Sequence, residues 1–214
     1  MIKILTTSLI VLVSLTGCNV TGKGYEEPRY SVVKEASQEP HITFRRYAPM
    51  IVAEVTTSGD MKESTSNGFR PLADYIFGNN LAKESLSMTV PVTQQANEKM
   101  AMTVPVSQQQ EADGKWNVRF YMSEDYTLEN LPKPNNEAVK LREIAGHDAA
   151  VIQFSGSSNA SNMMEHKKLL ENYLETQNIA TGGTAIYAYY NHPFTPWFLK
   201  RNEVMLKLKQ PISE

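Results

Sequence analysis

Cysteine is nearly missing from this chain: Cys18 is the single copy in 214 residues. No disulfide can close within the chain, and no Cys-based metal site can be built. Long apolar runs are missing as well. The strongest, residues 9–13 (Leu-Ile-Val-Leu-Val), falls well short of the roughly 20 residues that span a bilayer, and no later stretch reads as a membrane span. Basic residues come at most in pairs and the formal net charge is −2, which argues against a nucleic-acid partner. Paired carboxylates, a Cys–His couple, a Ser-His-Asp arrangement and a phosphate-binding loop are lacking too, so no catalytic residue is assigned and the chain is read as a non-enzyme. The four histidines, His41, His147, His166 and His192, stand in no metal-binding pattern, and no metal site is expected.

What is present begins with an address. One early charge, Lys3, precedes the apolar run, and Leu15-Thr16-Gly17-Cys18 closes it. A basic start, a short apolar core and small residues before a cut mark a secretory signal. The close resembles a bacterial lipobox, which implies cleavage before Cys18 and lipid attachment to it. Asn19 follows where Asp would signal retention; by resemblance to enterobacterial-type lipoproteins this implies the outer membrane, facing the periplasm. Residues 1–17 are thus read as a signal peptide and 18–29, polar with Gly and Pro, as a tether. From Cys18 on there are 197 residues, and loss of Lys3 leaves 20 basic against 23 acidic residues, a charge of −3. That length suits one domain or two small fused halves.

Strand and helix signals then repeat. Residues 30–36, 41–47 and 50–56 read as strands, with Ile42, Phe44 and Arg46 on one face of the second. Residues 63–77 read as a helix with Phe69, Leu72, Ala73 and Ile76 at helical spacing, beginning before Pro71 or kinking there. Met-Thr-Val-Pro-Val occurs twice, at 88–92 and 102–106; Pro91 and Pro105 belong at strand ends, bulges or an edge. A shift of 97 residues lays 42–45 on 139–142 and Ser58-Gly59 on Ser155-Gly156, followed by a second helix at 159–176 with Met163, Lys167, Leu170 and Leu174 in one stripe. In this scheme strand 115–122 matches 30–36, and strands 184–189 and 203–208 match the two Met-Thr-Val-Pro-Val copies. Residues 124–136 read as a surface loop. The expected fold is α+β: a distorted β-barrel of two pseudo-symmetric strand–strand–strand–helix–strand–strand halves, about 30–108 and 114–209, with two outer helices.

Three segments carry a resemblance. Residues 69–79 (Phe-Arg-Pro-Leu-Ala-Asp-Tyr-Ile-Phe-Gly-Asn), the paired Met-Thr-Val-Pro-Val motif, and residues 190–204, with Pro193, Pro196 and Arg201-Asn202-Glu203, resemble the SOUL haem-binding family over roughly 30–209. The resemblance implies a distorted barrel of two similar halves that binds haem or another porphyrin. It places the candidate haem surface on the first helix, at Met61, Phe69, Leu72, Ala73 and Ile76, with Arg46, Lys62 and Arg70 as candidate propionate partners. Arg46 stands where some members carry a histidine, so His192 and His41 are the candidate axial ligands. The triplet Arg201-Asn202-Glu203 reads as a hydrogen-bonded corner fixing the last strand. The functional expectation is a lipid-anchored envelope protein that carries or sequesters haem without catalysis. The alternative is an envelope lipoprotein for another amphipathic ligand or a protein partner.

Overall fold

The computed structural model describes residues 26–36, 40–81, 99–100 and 102–212. Residues 1–17, read as a signal peptide, Cys18 and the first Met-Thr-Val-Pro-Val copy lie outside the described residues. The elements run β1 (Tyr30–Glu35), β2 (Ile42–Tyr47), β3 (Met50–Thr57), α1 (Met61–Ile76), β4 (Asn80–Leu81), β5 (Met102–Gln110), β6 (Trp116–Met122), β7 (Lys133–Pro134), β8 (Lys140–Ile144), β9 (His147–Phe154), α2 (Ala160–Thr176), β10 (Thr181–Tyr189), a 3-10 turn (Trp197–Leu199) and β11 (Asn202–Leu208). Nine strands make one curled antiparallel sheet in the order β1-β2-β9-β11-β10-β5-β6-β3-β8, while β4 and β7 form a small separate ribbon. The fold is an α+β half-barrel with a helix packed on each half.

Local chemistry explains the helices. Asp60 caps α1 by accepting from the Glu63 N–H at 2.8 Å, and Asn159 caps α2 by accepting from the Asn162 N–H at 2.9 Å. Each cap follows a glycine at φ +116°, or stands close behind one: Gly59 and Gly156 take a backbone region that side chains resist. The helix runs through Pro71 rather than starting at it; only the turn-forming bond to the Asn67 carbonyl is lost. Leu72, Tyr75 and Ile76 pack with Val55, Val118 and Phe120 beneath α1, and Met163, Leu170 and Leu174 pack with Phe44, Ile152 and Val204 beneath α2. Each such buried side chain contributes about 1.5–3 kcal/mol. Among the described residues, every fully buried apolar side chain lies between Ile42 and Leu206, and the segment before Ile42 adds only partly buried ones, Tyr30 and Ala36.

The halves are related, with strand partners that differ from the linear matching. β3 pairs with β6, and β6 with β5; likewise β9 pairs with β11, and β11 with β10. The repeating unit is therefore β3-α1-β5-β6 against β9-α2-β10-β11, joined in the middle where Gln108 faces Tyr187. β6 answers to β11, not to β1. β2 and β8 are exchanged: β2 of the first half pairs with β9, and β8 of the second pairs with β3. Pairing is non-local, and linear spacing does not carry it.

Two further expectations change. Both faces of β2 are buried over most of its length, since one meets the α2 core and the other the concave side of the sheet: Arg45 is buried on the second, while Arg46 shares the face of Ile42 and Phe44 but is exposed near the strand end. Within 124–136, Leu131 is fully buried and the Tyr75 hydroxyl donates to the Pro132 carbonyl at 2.7 Å, so that segment closes the α1 core. Pro105 sits where the β5–β6 register shifts between Thr103 and Val106, a bulge that spares the ladder its missing N–H.

Candidate functional site

The concave face is the first place to look, because strands from both halves converge there. Glu203 is its centre. Its two oxygens accept from Arg45 (3.0 and 3.0 Å), from Arg201 (3.1 and 2.9 Å) and from the Tyr190 hydroxyl (2.6 Å). Burial alone would raise this carboxyl; the two guanidinium groups outweigh it and hold Glu203 below the usual range. Arg201 also binds Glu27 at 2.7 Å, and Asn202 accepts from the Ser158 hydroxyl at 2.8 Å and donates to the Gly156 carbonyl at 3.1 Å. The Arg-Asn-Glu triplet thus ties the N-terminal segment, the α2 entry and β2 together. A second cluster joins Glu54 to Arg119 and Arg142. Between the clusters, Tyr30, Tyr47, Tyr121, Tyr190, Ile186 and Met205 leave a cavity of about 20 Å³, room for roughly one water. Small-molecule sites span about 300–1,000 Å³. The concave face is filled by its own side chains.

Among the described residues two depressions are larger. One, about 630 Å³, has Glu27, Glu124, Glu129 and Glu143 in its wall, which disfavours a dianionic ligand. The other, about 540 Å³, lies between the helices and is lined by Met61, Trp116, Met164, Lys167, Tyr187 and Leu206 among others. Here the Tyr187 hydroxyl donates to the Met164 sulfur at 3.4 Å, and burial pushes the Tyr187 phenol up to about 12. Lys167 reaches Glu171 at 2.6 Å. The Trp116 indole N–H is buried without a hydrogen-bond partner, an omission that costs about 1–3 kcal/mol. This groove has the size and the apolar wall that a flat amphipathic ligand needs, and one cation, Lys167, paired with the lining carboxylate of Glu171.

The residues picked from sequence fall in different places. Met61 lines the groove. Leu72 and Ile76 are sealed in the core and Ala73 packs against it; Phe69 is half-exposed, edge-on to Phe120 at 5.3 Å. Lys62 and Arg70 are exposed on α1. Arg46 grips Asp148 through two bonds of 3.0 Å and also donates to the Ile212 carbonyl. His41 is exposed at the start of β2, and His192 is exposed beside Phe194, 5.2 Å between rings. His147 stacks on Tyr47 at the edge of the concave cavity, where burial lowers its pKa. His166 stacks on Phe154 at 3.5 Å. Trp116, Met164 and Tyr187 were not singled out from sequence. Met164 follows the α2 stripe residue Met163, and that adjacency was the available signal.

An α+β half-barrel with an amphipathic groove between its helices is the class of protein that fold and site define. The chain belongs to the SOUL heme-binding protein family, whose model matches residues 25–207. Membership supports a haem or tetrapyrrole ligand at the level of the family. No match was found among curated proteins. Solved structures share the fold: a hydrolase from Listeria innocua (TM-score 0.52, 12% identity, 78% of this chain and 91% of that one) and the EcmrR C-terminal domain (TM-score 0.56, 9% identity, 79% and 98%).

Proposed function

We propose that this chain is a lipid-anchored protein of the bacterial envelope that binds haem or a related tetrapyrrole in the groove between α1 and α2, as carrier or sequestering agent and without catalysis. The observation that carries this reading is the groove itself, with its apolar wall and Lys167, in a member of this family. Bound haem would supply an iron centre and two carboxylates to be met. Met164, which lines the groove, would offer a thioether to the iron. The Tyr187 hydroxyl, which donates to the Met164 sulfur at 3.4 Å, would orient it. Lys167, paired with Glu171 in the ligand-free groove, would turn to meet a carboxylate. The anchoring part of the reading is supported by the lipobox-like close at Cys18.

Hemin titration of the chain from Asn19, followed by absorbance, tests it. A saturable one-to-one Soret band is expected, shifted by Met164→Ala and weakened by Lys167→Ala. Absence of a saturable band sinks the ligand assignment. Among the described residues no histidine lines the groove, which favours a second reading, an amphipathic ligand held without iron ligation. Metal-free protoporphyrin binding as tightly as hemin would select that reading. Porphyrin fluorescence growing with time under catalytic protein would overturn the non-enzymatic assignment, and mass spectrometry of the cell-derived protein reads lipid on Cys18.

A further inference from the structure

Residues 190–201 form the connection between β10 and β11, and they present apolar side chains outward. Phe194 is 89% exposed, Trp197 66%, Phe198 58% and Leu199 64%. Solitary exposed apolar residues are ordinary, whereas four within six positions are a patch. The loop is built to hold them. Thr195 N–H bonds to the His192 carbonyl (2.9 Å), Lys200 N–H to Trp197 (3.2 Å), Lys200 Nζ to Pro193 (3.1 Å), and Gly156 N–H to Trp197 (3.1 Å). Two prolines, Pro193 and Pro196, stiffen it, and it contains no acidic residue. Trp and Phe beside Lys are the residues that settle at a bilayer interface.

The N-terminal segment meets this loop. Glu27 bonds Arg201 at 2.7 and 3.1 Å, so the chain leading back to Cys18 departs from the loop's own base. Seven residues separate Cys18 from Glu26, a reach of at most about 28 Å. A lipid on Cys18 would therefore lie within one tether length of the patch. We propose that loop 190–201 is a second membrane contact, which inserts Phe194, Trp197, Phe198 and Leu199 into the interface of the anchoring bilayer and fixes the domain's orientation on it. Its cellular setting rests on the lipid-anchored reading above, but the contact belongs to the folded domain and needs no lipid. Arg201 is neutralised by Glu27 and Glu203, leaving Lys200 as the loop's remaining strong cation. Insertion is thus chiefly apolar and only weakly salt-dependent.

The two tryptophans make the test clean, because Trp116 is 6% exposed and Trp197 is open to solvent. The chain from Asn19, which retains the whole described core, is titrated with phosphatidylethanolamine–phosphatidylglycerol vesicles. Expected are a blue shift of Trp197 emission, quenching by brominated acyl chains, and loss of roughly tenfold or more in partitioning for Phe194→Ser with Phe198→Ser. An unmoved emission, or a shift that survives the double substitution, overturns the proposal. So does a blue shift on raising protein concentration without vesicles, which would assign the patch to a second copy of the chain. Hemin binding and Cys18 lipidation are read separately, by the Soret band and by mass, so either can fail while the vesicle result stands.

Discussion

Glu203→Gln is the substitution from which the concave face is best tested. The carboxylate is fully buried and accepts five hydrogen bonds on two oxygens, four of them from guanidinium groups. Glutamine replaces one oxygen with an NH2 that must face another donor. Arg201 keeps Glu27, but the Arg45 side chain, 4% exposed, loses its counter-charge and keeps only one bond to the remaining oxygen besides Thr43, Tyr47 and the Tyr30 ring. Stranding one member of a buried ion pair costs about 3–5 kcal/mol. For a domain of this size that is a fall in Tm of roughly 6–20 °C, readable by circular dichroism. Arg201→Met should cost less, since Glu203 keeps Arg45 and Tyr190. The pH dependence has a fixed sign. Glu203 is held below its ordinary value of 4.5, so its contribution is complete above about 4.5 and is lost as pH falls through the lowered folded value. The gap between wild type and Glu203→Gln therefore narrows only in that acid window. A loss under about 1 kcal/mol, or Arg201→Met as damaging as Glu203→Gln, would refute the assignment of Glu203 as the hub.

Gly68 packs so closely on β6 that an added Cβ would lie 2.5 Å from Val118. Gly68→Ala should therefore destabilise by about 1–3 kcal/mol of overpacking, outweighing a helix-propensity gain of roughly 1 kcal/mol, as urea unfolding would show. Leu170→Ala should cost about 2–5 kcal/mol, whereas Leu169→Ala, at a largely open neighbouring site, should stay within about 0.5 kcal/mol; equal losses would contradict the helix face assigned to the core. His147 is lowered from 6.5 by burial and by Lys207, against the Ala145 carbonyl and Asp148. Its contribution is present above 6.5 and is lost as pH falls through its lowered folded value, so His147→Gln should flatten stability in that range, and NMR titration of its ring should give a value under 6.5.

The helices and most strands were legible because their signals are local. Apolar spacing placed α1 and α2 within a few residues, and the 97-residue shift carries Met50–Thr57 onto His147–Phe154. What could not be read was pairing. The exchange of β2 and β8 depends on which strands meet in space, and so does the partnership of Arg45 with Glu203 across 158 positions. Alternation put Arg46 on the face of Ile42 and Phe44, as the register has it, but could not show that this end of β2 is exposed and that Asp148 holds the guanidinium. The triplet at 201–203 was legible as a corner because its opposite charges are adjacent; its reach to Glu27 and Arg45 was not. Met61 alone among the first-helix candidates reaches the groove, since periodicity identifies a face that packs and cannot separate packing on the core from lining a cleft.

The internal symmetry explains why a groove opens on one side. The caps Asp60 and Asn159 are equivalent, and the same step of 99 carries Thr65 onto Met164. Val118 and Val204 are equivalent through their partners Val55 and Ile152, and their other partners are Gln108 and Tyr187. The pair Tyr187–Met164 is thus the symmetry mate of Gln108–Thr65. In the first half that position is closed: Thr65 donates to Gln108 at 2.8 Å, and Gln108 donates to the Tyr189 hydroxyl at 2.6 Å. A short, mutually satisfied polar chain leaves nothing for a ligand. In the second half a phenol and a thioether stand in its place, with Met164 half-exposed. A thioether is a weak acceptor, so the pair holds itself together loosely and presents apolar surface. The two related positions thus differ in kind: hydrogen bonds close one, and a phenol and a thioether leave the other open.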